Sequence, residues 1–226
     1  FCDFGSHARR TGRVHTLHRP ASGTASENPV RDELLRQAKR VVIKIGSSLI
    51  ASRETGLSAE RIERLAGEIA EVRAQGREVL VVSSGAVVSG IKKLGLREYP
   101  KSLPLKQAAA AVGQSLLMWA YEKAFERLTL RVAQVLLTHE DLADRRRFLN
   151  ARHTLTTLIK FGVIPIINEN DTVATTEIRY GDNDRLSARV ASMMSADCLV
   201  LLSDIDGLYT APPNDDPNAQ HIPLVT

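Results

Sequence analysis

"VVIKIGSSLI", residues 41–50, is a run of branched apolar residues interrupted by Lys44 and closed by Gly46-Ser47-Ser48. Four to six residues rich in Val and Ile read as a strand, and a continuous apolar run reads as one buried on both faces. Lys44 is out of place there. Either the strand lies at a solvated sheet edge, or the lysine leaves the strand's carboxyl end toward something anionic.

The segments around it repeat one pattern. Downstream, "SAERIERLAGEIAEVRAQG" sets Ile62, Leu65, Ile69 and Val72 at helical spacing, with Ser58 as N-cap and Gly76 as stop. "REVLVVSS" is a second buried strand, and it runs into "GAVVSGIKKLG", a helix opened by glycine. A long helix follows over 105–128, then a strand over 131–138, a helix over 146–162 and the strand "VIPIIN". "TVATTEIRYGD" alternates like a small hairpin, "DRLSARVASMMS" is helical from Arg185, and "DCLVLLSD" is a further strand. Upstream, "RDELLRQAK" is a short helix. Strands alternating with helices of this length predict an α/β domain with a mainly parallel sheet covered on both faces. Ligands of such sheets collect outside the carboxyl ends of the strands.

Four strand ends carry unusual chemistry. In "KIGSS", Gly46 permits close backbone approach and the amides near Ser47 and Ser48 can cradle an anion. No G-x-x-x-x-G-K-[ST] occurs in the chain, so this is not a Walker loop. At Ser84-Gly85-Ala86 a strand enters a helix, where free amides and the helix dipole favour a carboxylate or phosphate; glycine for tight strand–helix packing explains that turn equally well. The stretch "IINENDTVATTEIRYGDNDRLSA" gathers Asn168, Glu169, Asn170, Asp171, Asp182, Asn183 and Asp184. Asn183 or Asp184 can cap the helix expected at Arg185, but capping uses two of these residues at most. The remainder suggests a polar site for an amine-bearing ligand. In "LLSDIDGLYTAPP", Asp204, Asp206 and Gly207 form a turn that lacks the glycine and glutamate positions of an EF-hand, and calcium is not expected.

Composition narrows the classes further. Hydrophobic residues are 43% of the 226 and aromatics only 4%, so the core must be aliphatic. No apolar run approaches the roughly 20 residues of a membrane span. Cys2 and Cys198 form no disulfide framework and no metal-ligand spacing, which fits a reducing, cytoplasmic compartment. The net charge of +4 belongs to the start of the chain. Residues 1–40 hold eight of the 30 Lys and Arg and four of the 26 Asp and Glu, leaving 22 of each sign beyond, so nucleic-acid binding gains no support. Residues 1–29 read as a disordered basic leader. It is Arg-rich like a transit peptide, but Gly12, Pro20 and Gly23 interrupt any amphipathic helix. Its Phe1 start points to an incomplete or over-extended reading frame. "HIPLVT" closes the sequence as an apolar segment begins, and the domain over 30–226 is expected to be cut before its end.

Taken in order, "KIGSS", "SSGAVVSGIKKLG", "AAVGQSLLMW", "RRFLNARHT", "VIPIINENDTVAT", "GDNDRLSA" and "LLSDIDGLYTA" resemble the amino-acid kinase domain of the glutamate 5-kinase family, over residues 41 to about 215. The resemblance implies a three-layer αβα sandwich, here incomplete at its C-terminus. It also implies ATP-dependent phosphorylation of the γ-carboxylate of L-glutamate, the first step toward proline, with ATP and Mg2+ as cofactors. By the same match, Lys44 contacts the ATP phosphates and stabilises the transferring phosphoryl group, and Asp184 orients it. Ser84, Asp171 and Asn183 hold glutamate, and Ser203 and Asp204 border the nucleotide. Proline as feedback inhibitor and a homo-oligomer are implied as well. In the family a second glycine-rich segment with another phosphate-binding lysine lies further on, beyond the position of Thr226. Acetylglutamate, carbamate and uridylate kinases share the lysine–glycine opening but not the pairing of "INENDTVAT" with "GDND". A truncated, non-catalytic glutamate- or proline-binding module is the alternative outside enzymology.

Overall fold

The computed structural model describes residues 29–52, 54–174, 182–205, 207–213, 215–222 and 225. The leader read over 1–29 lies outside them except for Pro29, as do Asp206 and residues 175–181, the larger part of the segment expected to form a hairpin. Helix α1 (Pro29–Gln37) stands first, with Arg36 paired to Glu33 one turn back at 3.1 Å. From Gln37 onward the described chain is a single unit. Its elements are β1 (Arg40–Ile45), α2 (Ser47–Ile50), the short pair β2 (Ala51–Ser52) and β3 (Gly56–Leu57), α3 (Ala59–Ala74), β4 (Glu78–Ser83), α4 (Ala86–Lys93) and α5 (Leu103–Glu126). There follow β5 (Arg131–Leu137), α6 (His139–Ala143), α7 (Arg145–Lys160), β6 (Val163–Glu169), α8 (Asp182–Met193), β7 (Cys198–Leu202) and the short pair β8 (Leu208–Tyr209) and β9 (His221–Ile222). None of the described helices is long and apolar enough to cross a membrane.

Five strands form one parallel sheet in the order β5-β6-β4-β1-β7. β1 is therefore an interior strand, and the edge-strand explanation of Lys44 fails. Lys44 stands in register with Val82 of β4 on one side and Leu201 of β7 on the other. Pro165 sits in the interior strand β6, where a missing N–H would normally break a ladder. The structure accommodates it by limiting the β4–β6 register to two pairs, Val81 with Ile166 and Val82 with Ile167, both beyond the proline.

Side chains alternate across the sheet with period two. Val41, Ile43 and Ile45 pack with Val79 and Val81 against Ile62, Leu65 and Ile69 of α3 and Leu117, Tyr121 and Phe125 of α5. Val42, Leu80, Val82 and Ile167 face the other way, onto Leu155 of α7 and Leu186, Val190 and Met193 of α8. Each such burial contributes roughly 1.5–3 kcal/mol. Helices thus cover both faces, giving the expected three layers. Lys44 shares the face of Val42 and rises past the last apolar layer on the α8 side.

Two close approaches fix the rest. Asp197 accepts hydrogen bonds from the backbone amides of Lys39 (2.9 Å) and Arg40 (2.8 Å), which join β1 to the turn before β7 and hold the Asp197 carboxyl below its usual range. Helices α4 and α5 cross with backbones almost touching. A Cβ on Gly113 would collide with the Ala86 carbonyl oxygen, and one on Gly90 with that of Ala109. Gly67 in α3 has nothing within 4 Å of the same position.

Urea unfolding should separate these glycines. Gly113→Ala must push two backbones apart and is expected to destabilise the fold by about 1–3 kcal/mol or more. Gly67→Ala should stabilise it by about 0.5–1 kcal/mol through helix propensity alone. Equal effects at the two sites would contradict the crossing described.

Candidate functional site

The carboxyl ends of the sheet strands open into one cavity of about 310 Å³. The residues assigned above by resemblance all line it: Lys44 from β1, Ser84 before α4, Asp171 after β6, Asn183 and Asp184 from α8, and Ser203 with Asp204 after β7. Sequence places these residues on five separate segments, and the parallel topology brings them together.

Lys44 is the centre of the arrangement. Its side chain is 11% exposed, and Nζ lies 2.7 Å from Oδ1 of Asp184. An ammonium taken out of water costs several kcal/mol unless it is paired, and this carboxylate supplies the pair. Gly46 makes room beside it. A Cβ there would lie 3.3 Å from the Leu202 carbonyl oxygen and 3.7 Å from Lys44 Nζ. The Gly46 amide in turn donates to Leu202 O at 3.1 Å, tying the loop to β7. Ser47 and Ser48 continue this wall.

The second wall is the start of α4. Gly85 adopts φ +104 and ψ −4, a left-handed conformation that favours glycine over any side chain. This reverses the chain in one residue, so α4 starts directly at the strand end. The Ser84 amide donates to Ile45 O at 3.0 Å. As N-cap, Gly85 offers no side chain to the first-turn amides, which leaves that helix end able to receive an anion. Ser83, just before it, is anchored below by a 2.9 Å hydrogen bond to Tyr121, a fully buried residue of α5 whose hydroxyl pKa is pushed up by burial.

Helix α8 begins at Asp182, not at Arg185, and this corrects the capping role considered for Asn183 and Asp184. Both stand inside the first turn, and their side chains point across the cavity instead of back at their own helix. Asn183 Nδ2 donates to Ser84 Oγ at 2.9 Å, and Asp184 pairs with Lys44. Asn183 Oδ1 is buried and accepts no hydrogen bond from the described residues, an orphan acceptor in the cavity wall. Ser203 Oγ donates to its neighbour Asp204 at 3.1 Å on the exposed rim.

The end of β6 is polar and ordered. Asn168, 2% exposed, accepts from the Glu169 amide at 2.9 Å and donates to Gln114 Oε1 of α5 at 2.9 Å. Asn170 turns away and lines a neighbouring cavity with Thr138, Asp141 and Arg147. Sequence reasoning missed Tyr99, Val87 and Val88, which line the main cavity. Val87 and Val88 carried a signal, because they follow directly on Gly85; Tyr99 carried none.

The amino acid kinase family model matches residues 39–226. A curated glutamate 5-kinase of Geobacter metallireducens is 57% identical over 196 residues, which is 87% of this chain and 52% of that protein. One from Caulobacter vibrioides is 59% identical over 190 residues, 84% of this chain and 50% of that protein. The chain spans about half the length of the curated relatives it matches. Among solved structures, a UMP kinase from Ureaplasma parvum aligns with TM-score 0.55 at 18% identity, over 81% of this chain and 74% of that one. A UMP kinase from Bacillus anthracis aligns with TM-score 0.51 at 19% identity, over 81% and 72%. At such identities the likeness shows the shared fold.

The Lys44–Asp184 pair makes a stability prediction. Lys44→Met leaves Oδ1 of Asp184 buried and unpaired, although the side chain as a whole is 46% exposed and its charge can still be solvated. Stability to thermal unfolding should therefore fall only slightly, by less than about 1 kcal/mol. Asp184→Ala strands the ammonium and should cost about 1–3 kcal/mol. The opposite order would show that the pair stabilises the fold.

Proposed function

The chain belongs to the amino acid kinase family, and from that premise we propose that its cavity is the acceptor-binding and phosphoryl-transfer site of a glutamate 5-kinase, making L-glutamyl 5-phosphate from L-glutamate and ATP. The observation that carries this reading is the buried Lys44 ammonium, held 2.7 Å from Asp184 beside the glycine loop and facing the uncapped start of α4. Relatives 57–59% identical that bear the glutamate 5-kinase name support the choice of acceptor.

In the proposed reaction one oxygen of the γ-carboxylate attacks the terminal phosphorus of ATP. The bond from that phosphorus to the bridging oxygen breaks, and ADP leaves with its electron pair. A glutamate carboxyl ionises near pH 4.3, so the nucleophile carries no proton at neutral pH and no general base is needed. Protein groups then have two tasks, positioning and neutralising charge that spreads over the moving phosphoryl oxygens. Lys44 supplies the positive charge, and Asp184 fixes where it points. Ser84, Asp171 and Asn183 hold the acceptor. The orphan Oδ1 of Asn183 is matched by the substrate's ammonium, and the Asp171 carboxylate adds charge complementarity. Ser203 and Asp204 border the nucleotide on the far rim.

Mg2+ would join the nucleotide's phosphates and neutralise them when bound. Among the described residues no three His, Cys, Asp or Glu side chains converge to hold a metal. Asp184 and Asp204 therefore fit an ion held mainly by phosphate oxygens and water, with one or two carboxylates added. On the same reading the kinase domain runs from residue 30, proline is a feedback inhibitor, and the enzyme is a homo-oligomer of the cytoplasmic route to proline.

Trapping the acyl phosphate with hydroxylamine tests the proposal. With the enzyme that carries this sequence, glutamate and ATP together should give γ-glutamyl hydroxamate, and Lys44→Ala should lower its formation about 10²–10³-fold. Near-normal formation by Lys44→Ala would remove the lysine from the mechanism. Hydroxamate from another acid but not from glutamate would remove the acceptor.

A further inference from the structure

Tyr99 lies in the irregular connection between α4 and α5 and still lines the main cavity, beside Val87 and Val88 of the first turn of α4. It is held from two directions. Tyr99 and Leu96 pack against a satellite core of Val87, Ile91, Ala109 and Ala110, formed where α4 and α5 cross. Behind the ring stands Lys106 of α5, a lysine only 7% exposed, with Nζ 5.9 Å from the ring centroid. An ammonium at that distance over an aromatic face attracts the ring's negative quadrupole. The ring is therefore tied to the tightest helix crossing in the fold, the one set by Gly90 and Gly113.

The cavity lining is of two kinds. Lys44, Asp184, Ser203 and Asp204 are charged or polar and sit over β1 and β7. Val87, Val88 and Tyr99 are an apolar surface on the α4 side. Ser84, which holds the acceptor on the reading above, immediately precedes the turn into α4 that carries Val87 and Val88, so the methylenes of an acceptor between Ser84 and Lys44 lie along that surface.

We propose that Tyr99, fixed by Lys106 and the α4–α5 crossing, is the specificity-determining wall that limits the length of the acceptor amino acid. The proposal rests on reading this cavity as the glutamate site. In this proposal the glutamate stem fits beside the ring, and a homologue one methylene longer must bulge into the ring before its carboxylate is in place. One methylene in such a pocket changes selectivity by about 10–200-fold. A rigid wall is needed for this, because a mobile side chain would yield to the longer acid.

Calorimetric titration with L-glutamate, L-2-aminoadipate and L-aspartate tests it on the unaltered chain and on Tyr99 variants. The unaltered chain and Tyr99→Phe should prefer glutamate over 2-aminoadipate about tenfold or more. In Tyr99→Ala that preference should fall toward parity, while the preference over aspartate, which is too short to reach the wall, stays as it was. General loosening of the site would move both ratios together. Tyr99→Trp carries the opposite sign: a larger ring shortens the cavity and should weaken glutamate relative to aspartate. An unchanged aminoadipate ratio in Tyr99→Ala, ratios that move together, or an unchanged glutamate-to-aspartate ratio in Tyr99→Trp would each overturn the role of Tyr99 and leave the glutamate reading intact. Failure of the unaltered chain to bind glutamate at all would overturn both.

Discussion

A positive charge sits where a parallel sheet has least tolerance for one, on an interior strand, and the rest of the site is organised around it. Lys44 stands in register with residues of strands on both sides and carries an ammonium that the core cannot solvate. Asp184 answers that charge from a helix that lies 140 residues further along the sequence. Buried pairs of this kind seldom add net stability, since desolvation offsets the attraction. Their retention makes physical sense when the charge has work to do on a ligand. A phosphoryl group in transfer, with negative charge spread over its oxygens, is such a ligand.

The second constraint is steric. Glycines at 90 and 113 let α4 and α5 approach until their backbones touch, and Gly85 turns the chain so sharply that α4 begins at the strand end. Together they fix the amino end of α4 relative to Lys44 without any side chain in between. Tyr121 contributes from below through Ser83, and Gln114 through Asn168, so α5 supports both the α4 wall and the end of β6. One long helix thereby positions groups that belong to different strands.

Much of this was legible in the sequence because the signals were long and regular. Branched runs such as "RVVIKI" and "EVLVVS" can only be satisfied in a covered sheet, and the apolar positions of α3 repeat for four turns. Lys44 was legible as an anomaly, and the role expected of it came from the resemblance to the glutamate 5-kinase family. Shorter features were not legible. α6 has five residues, and the two-residue strands β2, β3, β8 and β9 are too brief to show any period. Local chemistry alone left capping open as an alternative for Asn183 or Asp184, and only their contacts across the cavity to Ser84 and Lys44 exclude it. Tyr99 lies in a connection without periodicity, and only the helix crossing brings it to the cavity.

The central claim, that the cavity passes the terminal phosphoryl group of ATP directly to a carboxylate oxygen of its acceptor, has a direct isotopic test. Glutamate labelled with 18O in the γ-carboxylate is incubated with ATP and the enzyme carrying this sequence, and the phosphate released when hydroxylamine attacks the acyl carbon of the product, breaking its C–O bond, is examined by 31P NMR. The account predicts one 18O in that phosphate, because the acceptor oxygen becomes the bridge to phosphorus. Phosphate free of the label, formed at a rate independent of glutamate, would mean that water is the nucleophile, and it would contradict the account.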